Sequence, residues 1–281
     1  MNSTLVIQLL VSFIVGGFFI TLLALIAERA SENISGIIMM FPTTIVLGFF
    51  FLGITTSAEK VALVVPATLI PLGIVVFSSV IYIYSSIFFS NYIKSKIGQI
   101  IITFLVSSSI WFVLASPFAL WKFQNLFLGI IGFFILITMA HFILNKHAFH
   151  EKVIRLKYSK IQIVMRAVFT GGIIAIVVFL GKVFNPFWGG VFTMYPAATF
   201  ATLLIFHFYY EPRQLFYFMK KAPLGSLSLL IYAISAMLLF SKTGVIMGTI
   251  VSYAISLSFS LLLIKYKNSA TKNNLEMPLN K

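Results

Sequence analysis

The sequence predicts an all-α, polytopic membrane protein of about nine transmembrane helices, arranged as two inverted four-helix repeats joined by a linker helix. Three observations carry this expectation. Apolar residues make up 60% of the chain and charged residues only 9%, too little charge for a water-exposed surface. The lysines and arginines fall overwhelmingly on one side of the expected spans. A stretch reading GIIMMFPTT, residues 36–44, recurs as GVFTMYPAA, residues 190–198.

A span needs about 20 mostly apolar residues. Nine candidates follow in order: residues 4–27, 34–55, 66–89, 97–117, 126–144, 163–183, 188–209, 223–241 and 245–264. The first lacks a preceding basic residue and is too long for a signal-peptide core, so it is expected to remain as a span. The third is the least regular. Its apolar run from Val61 to Phe89 contains Pro66 and Pro71 and can begin with a short interfacial or re-entrant piece. The tail from Lys265 is polar and is expected to be disordered.

Nine spans place Arg29, Lys94, Lys96, the Lys146–Lys160 loop, Arg166, Arg213, Lys220, Lys221 and the tail on one side, sixteen basic residues in all. Only Lys60, Lys122, Lys182 and Lys242 fall on the other. The positive-inside rule then puts the N-terminus outside and the C-terminus in the cytoplasm. It also assigns the net charge of +14 to membrane orientation, where a soluble chain would suggest nucleic acid. The expected location is a bacterial inner membrane.

The repeat has four anchors in one order. Gly16-Gly17 matches Gly171-Gly172, and Pro42 matches Pro196. Pro71-Leu72-Gly73 matches Pro223-Leu224-Gly225, and Lys96-x-Gly98 matches Lys242-x-Gly244. Each anchor alone is noise in an apolar chain; together they point to a duplication. The division is residues 1–118 as the first four-helix unit, 119–162 as connector helix and basic loop, 163–264 as the second unit and 265–281 as the tail. With an odd connector the units are upside down relative to each other, as in many secondary transporters.

A proline inside a helix frees the carbonyl four residues back, here Ile38 and Phe192. In lipid that carbonyl must meet protein or lined water. One reading is a pair of broken helices meeting near the midplane, with Pro42, Thr43, Thr44, Thr193, Tyr195, Pro196 and Thr199 around a substrate. The other is a packing kink. The glycines at 16, 17, 36, 171, 172, 189 and 190 read as sites of close helix approach.

Other polar groups were weighed in turn. All six carboxylates, Glu28, Glu32, Glu59, Glu151, Glu211 and Glu276, fall at span ends or in loops, which argues against a buried-carboxylate relay. Glu28 and Arg29, with Lys182 and Asn185 at the mirrored place, read as interfacial anchors or gate pairs. Arg166 either attracts an anion or snorkels to headgroups. His141 and His207 read as interfacial and structural, with proton handling as the alternative. His147, His150 and Glu151 form a weak metal spacing in an exposed loop. Ser107, Ser108 and Ser109 either line a pore or bond their own helix backbone.

The basic loop Lys146 to Lys160 is expected to lie on anionic lipid. No aromatic platform accompanies it, so nucleic acid is not an expected partner. No phosphate loop, zinc helix or nucleophile elbow is present in the sequence, and no enzyme activity, metal or cofactor is expected.

A paired glycine in the first helix, a short polar turn, and a second helix opening on Gly36, Phe41, Pro42 and Thr43 resemble the GlpM-like group of small four-helix bacterial inner-membrane proteins. The copy at Gly190, Tyr195 and Pro196 departs, with Ala197 in place of the threonine. The resemblance implies a four-helix unit and a link to exopolysaccharide production, with no substrate and no catalytic residue. The sequence thus leads to a secondary transporter or flippase-like carrier for an anionic or neutral amphipathic small molecule. Its alternative is a non-transporting scaffold for envelope-polysaccharide synthesis.

Overall fold

The computed structural model describes residues 3–29, 42–146 and 159–276. Gly36, Met40 and Phe41, and the loop residues His147, His150 and Glu151, lie outside them. Among the described residues there is no strand. The helices are α1 (Ser3–Arg29), α2 (Thr43–Thr55), α3 (Ala58–Ser90), α4 (Lys96–Leu120), α5 (Leu126–Asn145), α6 (Lys160–Val183), α7 (Pro186–Thr193), α8 (Ala197–Tyr209), α9 (Leu215–Met219) and α10 (Ala222–Glu276).

Among the described residues seven apolar helical stretches are long enough to cross a membrane, so the chain is a multi-pass helical membrane protein. The shorter apolar α2 accompanies them. Ile7, Phe18, Val113, Phe127, Phe142, Met165, Ile246 and Leu262 project from the outer faces as exposed large apolar side chains. In water such a surface would aggregate; in a bilayer it is the surface that lipid wets.

The centre of the fold is α3, which packs against α4, α5, α7 and α10. Here the structure corrects the sequence reading. No separate interfacial piece precedes the third span: residues 58–90 form one helix of 33 residues with both prolines inside it. Ser57 caps it by accepting from the Lys60 amide at 3.3 Å. At 1.5 Å per residue the helix is about 50 Å long, more than the roughly 30 Å of hydrocarbon. Val61, Val64, Val65, Leu69, Leu72, Tyr82 and Ile83 are all at most 2% exposed. Neighbouring helices cover most of a helix that its prolines would weaken alone.

The last two expected spans are two arms of one folded helix. Gly244 sits at φ 76°, ψ 176° inside α10, a conformation that only glycine adopts readily. The Ser256 hydroxyl donates to the Ser228 carbonyl at 2.7 Å, and a methyl on Gly248 would meet the Phe240 ring. These pairs require the chain to double back at Gly244. The second arm runs on to Glu276, where a disordered tail was expected. No glycine or proline interrupts residues 265–276, and the first breaker is Pro278.

Candidate functional site

Both motif prolines stand at the start of a helix. Pro42 (φ −76°, ψ 45°) precedes α2, and Pro196 (φ −74°, ψ 48°) precedes α8. The two backbones agree within a few degrees, and each proline leads a helix of 13 residues. In each, the proline carbonyl receives the first amide: Val46 at 2.9 Å and Phe200 at 2.7 Å. In the second copy the residues before the break form α7, capped by Asn185, whose side chain accepts from the Phe187 and Trp188 amides. Asn185 therefore caps α7. The expected seventh span is two short helices interrupted at Met194, Tyr195 and Pro196.

Several helices approach one another closely at glycines. Gly17 of α1 faces Gly171 of α6; a methyl on Gly171 would overlap the Phe13 carbonyl, and one on Gly17 would meet the Ala167 carbonyl. Gly189 of α7 likewise faces Gly181 of α6. Gly48 of α2 faces Thr193 of α7, whose side chain fills the space a methyl there would take.

The predicted site residues divide into three groups. Thr193 is buried and donates its hydroxyl to the Gly189 carbonyl at 2.9 Å, within its own helix. Tyr195 is 9% exposed, and its hydroxyl shares a 2.7 Å hydrogen bond with Ser108 of α4. Around its ring stand Trp111, Phe169, Phe192 and Phe200, with centroids between 5.1 and 6.3 Å. Pro42 and Pro196 are buried, while Thr43, Thr44 and Thr199 are half-buried. The structure thus joins Thr193 to α2 through Gly48 and joins Tyr195 to α4.

Several side chains have roles the sequence did not predict. Ser108 neither lines a pore nor bonds its own helix; it holds Tyr195 across the helix interface. His207, read as interfacial, is fully buried. Its Nδ1 lies 3.2 Å from the Tyr82 hydroxyl of α3, and the two rings meet edge to face. Arg166 of α6 donates from Nη2 to the Thr202 hydroxyl of α8 at 2.8 Å, so it ties two helices. Lys96, at the start of α4, donates to the Tyr210 carbonyl at 3.0 Å. His141 keeps the exposed position expected of it, with the Asn145 amide donating to its backbone carbonyl at 2.8 Å.

Tyr82 and His207 are 125 residues apart and Ser108 and Tyr195 are 87 apart. No local pattern announces such pairs. The one available signal was polarity: a tyrosine, a histidine and a serine run inside spans that are otherwise apolar.

Among the described residues, no group of histidine and carboxylate side chains is placed to hold a metal ion. No protein-family model matches the chain, and neither a curated protein nor a solved structure matches it.

Proposed function

We propose that the chain is a membrane carrier, a secondary transporter or flippase-like protein, built as nine crossings in two inverted four-helix repeats. The observation that carries the reading is the matched pair of proline-led helices. Pro42 and Pro196, 154 residues apart, each open a helix of 13 residues with nearly the same backbone angles. Broken helices in corresponding positions of two halves are the common way to place a site near the midplane. The direct meeting of Gly17 with Gly171 fits a pseudo-two-fold axis passing between α1 and α6. The substrate this reading favours is anionic or neutral and amphipathic, because no carboxylate lies in the breaks and aromatic rings surround Tyr195. The basic loop from Lys146 to Lys160 would rest on anionic lipid of a bacterial inner membrane, with the C-terminus cytoplasmic.

A second reading has its own observation. Thr193 and Tyr195 are buried and have their hydroxyls bonded within the protein, as a dry scaffold would require. The GlpM-like resemblance at Gly36 to Thr43 agrees with such a role beside an envelope-polysaccharide synthase.

A thermal-shift screen of anionic and neutral amphiphiles on the purified protein separates the two. The carrier reading expects a stabilising ligand whose shift disappears in Thr199→Val and in Thr44→Val. Absence of any such ligand, with a protein partner retained through purification from native membranes, would establish the scaffold.

A further inference from the structure

Arg166 is set deeper in its helix than the lysines around it. Lys60, Lys96, Lys160 and Lys182 lie in the first or last turn of their helices. Arg166 lies six residues inside α6, about 9 Å along the axis. Its partner Thr202 lies seven residues from the end of α8 at Tyr209, about 10 Å by the same rise. A helix of 24 residues is about 36 Å long and overhangs a hydrocarbon layer of roughly 30 Å by about 3 Å at each end. The guanidinium is therefore held about 6 Å below the rim of that layer.

Snorkelling does not account for this placement. Side chains on a helix lean toward its N-terminus, and the N-terminal end of α6, Lys160, is the nearer rim. An arginine seeking headgroups would run along α6 toward Lys160. Instead Nη2 reaches across to the Thr202 hydroxyl at 2.8 Å. Thr202 in turn donates to the Ala198 carbonyl at 2.9 Å. The hydroxyl gives its proton to its own helix and a lone pair to the guanidinium, which fixes both groups.

Polar contacts continue along the same seam. Nearer the rim, the Gln162 amide donates to the Tyr209 hydroxyl at 3.0 Å. Deeper, Phe169 meets the Tyr195 ring at 6.3 Å, where the chain breaks before α8. Residues 162, 166 and 169 share one face of α6, and their partners 209, 202 and 195 follow in antiparallel order. Tyr209 is 48% exposed, and Gln162, Arg166, Thr199 and Thr202 are half-buried. A line of accessible polar groups thus leads from the rim to the break, with a cation midway. A guanidinium presents five N–H groups in a planar fork, so a bond to Thr202 is compatible with a grip on phosphate or carboxylate oxygens.

We propose that Arg166 is the specificity-determining residue of the carrier, holding the anionic head of its amphiphile, a phosphate or carboxylate, in the seam between α6 and α8. This rests on the carrier reading and narrows its substrate from anionic or neutral to anionic. Gln162 and Tyr209 line the way in from the rim, and Arg166 holds the charge below it.

The test uses the full-length protein in neutral glucoside micelles and follows the unfolding midpoint against three added ligands: dodecyl phosphate, dodecanoylglycerol and inorganic phosphate. Dodecyl phosphate is expected to raise the midpoint of the parent saturably. Arg166→Gln should raise the half-saturating concentration about tenfold, whereas Lys242→Gln, the same loss of charge at an exposed turn, should leave it unchanged. Should Arg166→Gln fail to fold, Arg166→Lys, which keeps the charge and loses the fork, carries the comparison with an expected weakening of about threefold. Equal shifts in the parent and the Arg166 variant, or no shift of the parent by dodecyl phosphate, overturn the inference. Inorganic phosphate that reproduces the shift and its dependence on Arg166 assigns the site to a free anion and overturns the amphiphile as its ligand. Dodecanoylglycerol keeps this failure apart from that of the carrier reading. A saturable shift with it, independent of Arg166, overturns the anionic head and leaves a carrier of neutral amphiphiles standing; no shift with either amphiphile counts against both.

Discussion

The half-helices α2 and α8 share a backbone and differ in chemistry. Each follows a buried proline at nearly the same angles and runs for 13 residues. Aligned on their prolines, Thr43 and Thr44 stand against Ala197 and Ala198, Gly48 against Thr202, and Gly53 against His207. On α2 the two glycines let other helices close in: Gly48 receives Thr193, and Gly53 receives Val245 of the α10 hairpin. On α8 the same two positions reach outward with polar groups. Thr202 holds Arg166, and His207 meets Tyr82. The two prolines therefore open both helices at the same backbone angles. The side chains after the break decide which copy packs and which carries polar chemistry.

The tyrosines of the two central helices extend the contrast. Tyr82 of α3 packs on Phe200 and His207 of α8, while Tyr232 of α10 packs on Phe49 of α2 at 6.1 Å. Tyr82 thus meets α8 and Tyr232 meets α2. Tyr82 shares its hydrogen bond there with the titratable His207.

The comparison is broken most severely at Gly48. Replacing it with alanine drives a methyl into the Thr193 side chain, and neither helix can retreat without moving the break. We expect Gly48→Ala to cost about 3 kcal/mol, the upper part of the usual range for overpacking. Unfolding in mixed micelles measures it. Thr193→Ser removes the opposing methyl, so the double variant should recover most of the loss. Additive losses would show that the two copies do not meet at this pair.

A smaller effect is expected at the counterpart position. Thr202→Val keeps the shape and removes the acceptor for the Arg166 guanidinium. Hydrogen bonds to charged groups contribute about 1.5–3 kcal/mol, and the half-exposed position of Arg166 puts the expected loss near the lower end. The unfolding midpoint should fall, and Thr202→Ser should restore it. If Thr202→Val melts like the parent, α8 is not anchored through this bond and its polar character is incidental.

What was legible in the sequence follows from how locally each feature is specified. Membrane class needs only composition, and the helix starts at Pro42 and Pro196 need only a residue without an N–H. Both are local facts. The continuity of α3 was not legible, because Pro66 and Pro71 read as interruptions until the surrounding helices are in place. The hairpin of α10 was legible as the two spans 223–241 and 245–264; the structure adds that Gly244, between them, takes the positive φ at which the chain turns. The buried face of α4 was half visible: the serine run at 107–109 stands out in the sequence, but Thr103 and Trp111 join Ser107 only on a helix whose buried face is known. Of the predicted site, Tyr195 and Thr193 came out buried and bonded. Their partners Ser108 and Gly48 lie on helices that the repeat pattern alone does not bring together.

The smallest effect should come from Tyr82→Phe. The ring stays in place against Phe200, so packing is kept and only the hydroxyl to His207 Nδ1 is lost. His207 Nε2 already lacks a partner in the protein, so the variant leaves both ring nitrogens of a fully buried imidazole without one. A single neutral hydrogen bond is worth about 1 kcal/mol, and the expected loss in unfolding free energy is of that size. His207→Phe should offset it, because a ring with no nitrogen has nothing left to satisfy, and the double variant should approach the parent in stability. That recovery would mark the Tyr82–His207 bond as a local pairing that fixes how α8 sits on α3. If Tyr82→Phe is silent and His207→Phe alone is damaging, Nε2 is the important atom, and the imidazole faces something other than Tyr82.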